Sequence, residues 1–334
     1  MGNAVPLRLE LRSELLQLAA PFRISGRVFR DSPALVVELH HPRGTGRGEA
    51  AGVYYNDDAP EAMRATLEAL RGRIEAGLDR RALQALLPPG GARNALDCAL
   101  WDLEAKLAGS PVWRLAGLDG VRPLLTTFTV GADTPEAMAE RAAAYDHARA
   151  IKLKLTGEPA LDGERVRAVR RRLPRVWLGV DANQGFDAAS LPLLLPVLAE
   201  TGVALLEQPG ARGREADLDG LERVVPVAAD ESILDLRELE ARHRHFDVIN
   251  IKLDKCGGLT EGLAMARRAR ELGKRVMVGN MVGTSLAMAP AFVLGQHCDV
   301  VDLDGPLFLT ADRRPGAVYR DGHIDCPGEV WGDP

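Results

Sequence analysis

Five charged strings recur through the middle of this chain, each closing a short apolar run: Lys152-Leu153-Lys154, Asp181-Ala182-Asn183, Glu207-Gln208-Pro209, Asp230-Glu231-Ser232 and Asn250-Ile251-Lys252. The runs before them, among them 176–180 and 203–206, carry apolar residues on both faces, as strands buried on both sides of a parallel sheet do. From Lys152 through Asp181, Glu207 and Asp230 to Lys252 the steps are 29, 26, 23 and 22 residues. That is close to the roughly 30 residues of a strand, its crossover helix and the next strand. In a closed α/β barrel every strand ends at one mouth, where barrel enzymes keep their chemistry. The spacing therefore predicts a barrel with a charged group at each of these strand ends.

A lone carboxylate after a strand usually caps a helix or pairs at the surface. Three in register at one mouth repel one another unless a cation joins them. Asp181, Glu207 and Asp230 offer hard oxygen ligands with no Cys or His beside them, which suits Mg²⁺, one per subunit, rather than zinc. Lys152 and Lys154 lie two apart on a strand and so face the same way. Crowding and burial lower an ammonium pKa, which would fit a lysine for use as a base, although the carboxylates oppose this. Counting from the strand that carries Thr126 and Thr127, Lys152 lies on the second strand and Lys252 on the sixth. These are roughly opposite in an eight-membered ring. Two amines flanking a carbon acid beside a metal-bound carboxylate can remove a proton from one side and return one to the other. The metal and Lys152 would stabilise the resulting charge.

In this order and spacing, the KxK, VDAN, LEQP, ADES and NIK strings resemble the muconate-lactonizing-enzyme-type branch of the enolase superfamily. The resemblance spans nearly the whole chain. The segment from Gly91 to Lys106, with Trp101 in it, is similar to the last long helix of that family's capping domain. The implied fold is a modified TIM barrel, (β/α)7β, at 123–310. An α+β capping domain at 1–122 is rejoined by the tail at 311–334. The resemblance also implies that Asp181, Glu207 and Asp230 bind magnesium, that Lys154 and Lys252 are the acid/base pair, and that Lys152 assists the enolate.

A further string, Asp302-Leu303-Asp304 before Gly305-Pro306, resembles the DxD motif of dipeptide epimerases. There the two carboxylates receive the free ammonium of the substrate's first residue. The implied reaction is epimerisation at the C-terminal residue of a dipeptide. The alternatives are an N-acyl amino acid racemase and a cycloisomerase or o-succinylbenzoate synthase of the same branch. Thr127, Arg27 and Tyr54 are further substrate-binding candidates. Two departures bear on specificity. Epimerases selective for Ala-Glu often carry Ile-Ser-Arg-Gly in a mobile loop, where this chain reads Ile24-Ser25-Gly26-Arg27. Many relatives carry a Cys-Met-x-Glu-Ser string where it reads Asn280-Met281-Val282-Gly283-Thr284-Ser285, so Gly283 replaces a glutamate. Dehydration is disfavoured, because the late strand Val276-Met277-Val278-Gly279 holds no histidine base.

The remaining sequence agrees with a two-domain enzyme acting on a small molecule. With 334 residues, 46% hydrophobic and 27% charged, the chain buries a large core and exceeds one ordinary domain. A net charge of −5 without a basic block argues against nucleic acid as partner. Cys98, Cys256, Cys298 and Cys326 form no CxxC pair, which fits reduced thiols in the cytoplasm. The start, Met1 to Glu10, does not read as a secretion signal, Gly2 alone is poor support for lipidation, and no apolar run of about 20 residues reads as a membrane span. Relatives of this type are often homo-oligomers.

In the N-terminal part, 8–12 and 34–39 read as paired strands. The loop expected between them, 21–33, is a candidate lid. Glycines in 46–55 are expected to admit a ligand, helices to run from Pro60 to Leu107, and the first barrel strand to run from Leu124 to Val130.

Overall fold

Alternation builds the first sheet. Leu9 and Leu11 on β1 (Arg8–Ile24) stand opposite Leu39 and Val37 on β2 (Arg27–His41), all four buried, while Arg8 and Arg12 on the intervening positions face water. The third strand, β3 (Gly44–Ala50), pairs antiparallel with β2. Helices α1 (Pro60–Ala69), α2 (Arg71–Glu75), α3 (Arg80–Leu86), α4 (Gly91–Ala108) and α5 (Val112–Leu115) follow. This computed structural model describes residues 7–56 and 58–334, so the Met1-Gly2 start and the first six positions of the expected capping domain lie outside the described residues.

Helix α4 is buried nearly all round, enclosing Arg93, Asn94, Asp97 and Asp102 along with its apolar residues, because it lies between two bodies. Ala95, Leu96, Ala99, Leu100 and Leu103 pack into the core beneath the first sheet. Cys98, Trp101 and Ala105 pack into the core of the barrel. The glycines of β3 serve this helix and not a ligand. A Cβ on Gly46 would lie 2.1 Å from Ala99 O, and one on Gly48 would lie 2.0 Å from Ala95 O.

After β4 (Leu124–Leu125) come eight parallel strands: β5 (Phe128–Val130), β6 (Ala150–Lys154), β7 (Trp177–Asp181), β8 (Leu205–Glu207), β9 (Val227–Ala229), β10 (Val248–Lys252), β11 (Arg275–Gly279) and β12 (Val300–Val301). They pair strictly in chain order. The sheet curls until its ends meet, where Thr127 N donates to Val301 O at 3.0 Å. The crossovers carry α6 (Pro135–Ala144), α7 (Pro159–Arg172), α8 (Leu191–Glu200), α9 (Leu236–Arg242), α10 (Leu253–Cys256), α11 (Leu259–Glu271) and α12 (Ser285–Gly295). Thr134 caps α6 by accepting from Ala137 N, with Pro135 in the first turn. Between β8 and β9 the described chain has only a 3-10 turn, Glu215–Leu218, in a stretch punctuated by Pro209, Gly210, Gly213, Gly220 and Pro226.

Two sequence expectations change. The loop expected at 21–33 is a hairpin: β1 and β2 stay paired to Ile24 and Arg27, with Phe22 opposite Phe29. The turn is only Ser25 and Gly26, and Gly26 takes the positive φ of 68° that glycine tolerates. The stretch from Leu124 to Val130 is not one strand. Its first half, β4, pairs instead with β14 (His323–Asp325), which pairs with β13 (Val318–Arg320). Beyond them Trp331 donates to Arg47 O and Cys98 O, and Arg47 donates to Val330 O, fastening the tail to β3 and α4.

Candidate active site

Register brings the charged strand ends together. Lys154 pairs with Asp181, and Asp181 with Glu207, so the three stand side by side on adjacent strands. Asp230 follows directly on β9. Asp181, Glu207 and Asp230 are at most 1% exposed, and one oxygen from each lies within 4.8 Å of the others. Lys252 enters from β10 opposite Gly279. A Cβ on Gly279 would come 3.0 Å from Lys252 Cε and 2.8 Å from Asn250 Oδ1, so glycine leaves the lysine its path.

Each lysine is held by a different acid. Lys154 Nζ donates to Asp181 Oδ2 at 2.5 Å and Lys252 Nζ to Asp230 Oδ2 at 2.7 Å. Lys152 donates to Asp302 and lies 3.4 Å from Glu207 Oε2. The expected lowering of Lys152 by crowding does not prevail. Burial pulls its ammonium down, but Asp302, Glu207 and Asp181 outweigh burial and raise it. Lys252 is raised the same way, against burial, chiefly by Asp230. The reciprocal effect lowers Asp230, where Lys252 and Lys255 overcome burial. Glu207 goes the other way, pushed up to about 7 by burial and then by Asp181.

The donor set fits a hard divalent cation. It is three buried carboxylates with no sulfur or imidazole. Around it, Asn183 Oδ1, Glu231 Oε2 and Asn250 Oδ1 are buried oxygens without a hydrogen-bond donor among the described residues. Burial and the neighbouring Asp230 push Glu231 up to about 8. Unpaired buried oxygens cost free energy unless water or an ion satisfies them.

Over this floor lies a cavity between the two bodies. Lys154, Lys252, Asp230, Glu231 and Asn183 line its base. Phe22, Ile24, Phe29 and Ser32 of the hairpin, Tyr54 and Tyr55 after β3, and Asn280, Met281 and Val282 after β11 line its sides. The expected candidates Lys154, Lys252, Asp230 and Tyr54 thus face one space. Arg27 is not among the lining residues, but its guanidinium lies 4.6 Å from the Tyr54 ring centre and 5.1 Å from that of Phe29. Asp302, Asp304 and Thr127 are buried to one side and are not among the cavity-lining residues. Asp302 accepts from Lys152 and Thr127, and Asp304 accepts from Thr129 N at 2.6 Å. Burial and then Asp302 push Asp304 up to about 7.

Sequence reasoning left several supporting residues without a role. Gln208, at φ 36°, accepts from Asp230 N at 2.9 Å and Ser232 N at 3.1 Å, and donates to Ser232 Oγ, fixing the turn that carries Asp230. Asn183 and Gln184 also have positive φ, 41° and 66°. Such conformations in non-glycine residues persist where the surroundings enforce them, often at functional sites. Lys255, buried on α10, donates to Asp230 Oδ1 at 2.7 Å and to Asp230 O at 2.6 Å. Its spacing of three from Lys252 was the available signal. Asn250 Nδ2 donates to Glu207 Oε1 at 2.7 Å.

Comparison with known proteins gives the family of the chain. Residues 9–117 match the family model for the mandelate racemase / muconate lactonizing enzyme N-terminal domain, and residues 136–330 match that for the enolase C-terminal domain-like fold. The chain is 37% identical over 311 residues to the L-Ala-D/L-Glu epimerase of Escherichia coli K12, covering 93% of this chain and 97% of that one. It is 38% identical over 247 residues to the N-acetyl-D-glutamate racemase of a Pseudoalteromonas species, covering 74% and 78%. A crystal structure of an Agrobacterium tumefaciens enolase family member with homology to dipeptide epimerases, with bound sodium and L-Ala-L-Glu, superposes with a TM-score of 0.94. That protein is 38% identical, over 98% of this chain and 100% of the other. The chain belongs to the mandelate racemase / muconate lactonizing enzyme family of the enolase superfamily.

Proposed function

We propose that this protein is a Mg²⁺-dependent dipeptide epimerase, an isomerase that inverts the α-carbon of the substrate's C-terminal residue. One observation carries the reading: Lys154 and Lys252, from the second and sixth strands, line one cavity beside three buried carboxylates. Asp181, Glu207 and Asp230 would hold the cation. Bound there, it would supply Lewis acidity toward the substrate carboxylate. Lys154 and Lys252 then work as a pair, one taking the α-proton and the other delivering a proton to the opposite face. Lys152, paired with Asp302, keeps its charge and would stabilise the negative charge that develops at the substrate carboxylate.

Asp302 and Asp304 supply the negative charge for the ammonium of the first residue, with Thr127 orienting Asp302. Arg27, beside the Tyr54 ring, would meet an anionic side chain on the residue being inverted. Tyr54 forms the wall between them. The cap comprises 1–122 together with the tail at 311–334, and the barrel 123–310; the Trp331 contacts with Arg47 and Cys98 support that division. We place the protein in the cytoplasm as a homo-oligomer. Among the described residues no helix is long and apolar enough to cross a membrane.

A second reading is favoured by one observation: the pairing of Asp302 with Lys152 and Thr127 leaves that carboxylate less available to an ammonium. An N-acyl amino acid racemase would use the same lysines without it. The experiment is mass spectrometry of pooled L,L-dipeptides and N-acyl amino acids incubated with enzyme and Mg²⁺ in D₂O. Deuterium at the C-terminal α-carbon of dipeptides supports the epimerase. Label confined to N-acyl amino acids makes it a racemase, and no label in any compound rejects both.

A further inference from the structure

We infer that Glu49, a carboxylate of the capping sheet, is a positioning residue that latches the barrel loop 280–284 in the place where it walls the substrate cavity. The inference rests on the cavity being the substrate site. Glu49 stands near the end of β3, 1% exposed, and reaches across to the barrel. Its Oε1 accepts from Thr284 N at 2.7 Å and its Oε2 from Thr284 Oγ1 at 2.6 Å. Arg313 donates to the same Oε2 at 2.7 Å, to Glu14 Oε2 at 2.7 Å and to Thr284 Oγ1 at 3.2 Å. Among the described residues, the carboxylate's hydrogen bonds thus run to the loop and to the arginine that braces it.

Gly283 contributes no side chain, and a Cβ there would meet Ala287 Cβ at 3.1 Å and Glu49 Oε1 at 3.3 Å. The space beside position 283 is filled by a carboxylate from the other body. A second pin from the cap acts one residue earlier, where Ser32 Oγ donates to Val282 O at 2.7 Å. At the loop's other end Asn280 donates to Asp302 O. Between these ties Asn280, Met281 and Val282 face the cavity opposite Phe22, Phe29 and Ser32 of the hairpin. Thr284 also caps α12 by accepting from Leu286 N. Moving Thr284 therefore moves both the helix start and the cavity wall.

Charge-assisted bonds to a buried carboxylate are strong and directional, whereas loops without packing of their own move easily. Glu49 does not touch the reacting atoms, so its loss should weaken ground-state and transition-state binding alike. That pattern raises KM with little change in kcat. Glu49→Gln keeps the volume and one acceptor but turns an amide toward Arg313. Glu49→Ala removes the latch, and Thr284→Val, which keeps the backbone donor, breaks it from the other side.

The test joins hydrogen exchange with steady-state kinetics on the full chain with Mg²⁺. Relative to wild type, Glu49→Gln and Thr284→Val should speed amide exchange in the peptide spanning 280–286 about tenfold or more, leaving the barrel strands unchanged. KM for the best dipeptide or N-acyl substrate should rise about tenfold, with kcat within about threefold. Unchanged exchange at 280–286 in both variants overturns the latch. Faster exchange with unchanged KM overturns its role in substrate positioning, as does a parallel fall in kcat with loss of Mg²⁺ affinity. Should the wild type process no carbon acid at all, the proposed reaction fails and so does the substrate-positioning claim, while the exchange arm still decides the latch.

Discussion

Lys152, on the second barrel strand, and Asp302, beyond the eighth, form a buried ion pair beside the place where the curled sheet closes on itself. The carboxylate that we propose for the substrate's ammonium thus already has an internal cation. Thr127, whose backbone closes the barrel onto Val301, donates its hydroxyl to the same carboxylate. Barrel closure, the charge of Lys152 and the proposed ammonium site are therefore tied to one side chain.

Asp302→Asn follows from that relationship. A buried ammonium that loses its nearest anion is left partly uncompensated, since Glu207 and Asp181 lie farther off at 3.4 and 3.9 Å. We expect a stability loss of about 1–3 kcal/mol, read as a lower urea midpoint. Turnover of free dipeptides should fall much further than that of N-acylated amino acids. If both substrate classes suffer alike, Asp302 is not an ammonium receptor.

Lys154→Ala and Lys252→Ala should each lower net epimerisation by about 10²- to 10⁴-fold, the range for loss of a general acid or base. Their signatures should differ in D₂O. Each variant should keep α-proton exchange for the one enantiomer whose proton faces the surviving lysine. NMR of both enantiomers separates the cases. Complete loss of exchange for both enantiomers in both variants would sink the two-face arrangement.

Cation binding offers a check independent of turnover. Asp181, Glu207 and Asp230 repel one another across less than 4.8 Å, so Mg²⁺ that binds only the folded protein stabilises it by about 2.7 kcal/mol at a hundredfold excess over Kd. Thermal midpoints of chelator-treated protein should rise on adding Mg²⁺. Asp181→Asn should remove most of that rise while leaving the sheet register intact. A midpoint indifferent to Mg²⁺ in the wild type argues against the cluster as a cation site.

How much of this was legible in the sequence depends on how local each cause is. The barrel and its charged mouth were legible because apolar runs and charged ends repeat at near-constant spacing and buried parallel strands allow little else. The hairpin at Ile24–Arg27 was not. Arg, Gly and Pro around it read as loop, and only Phe22 facing Phe29 across the pair shows why the strands continue. Gly46 and Gly48 looked like ligand-facing glycines because nothing in their neighbourhood announces α4 lying against them. Glu49 and Thr284 are separated by 235 positions, so no local pattern links them.

Asp254 gives a pH test with a definite sign. It lies two residues beyond Lys252, buried, with Gly52 N donating to its Oδ1 at 2.8 Å. Burial pushes its carboxyl up to about 7 from an ordinary value of 3.8, against the lowering effect of the Gly52 and Ala51 backbone. Between those two values the folded protein holds a proton that the unfolded chain has released. Stability therefore falls as pH rises through that window and levels off above it. The loss attributable to this group is on the order of 4 kcal/mol, from about three pKa units at 1.36 kcal/mol each. Asp254→Asn cannot ionise, yet its amide oxygen still accepts from Gly52. The variant should match wild type near pH 4, exceed it at pH 8, and show a shallower decline between. Urea midpoints across that range decide the matter: parallel curves for the two proteins would mean that Asp254 is ionised in both folded and unfolded states and that burial does not govern its charge.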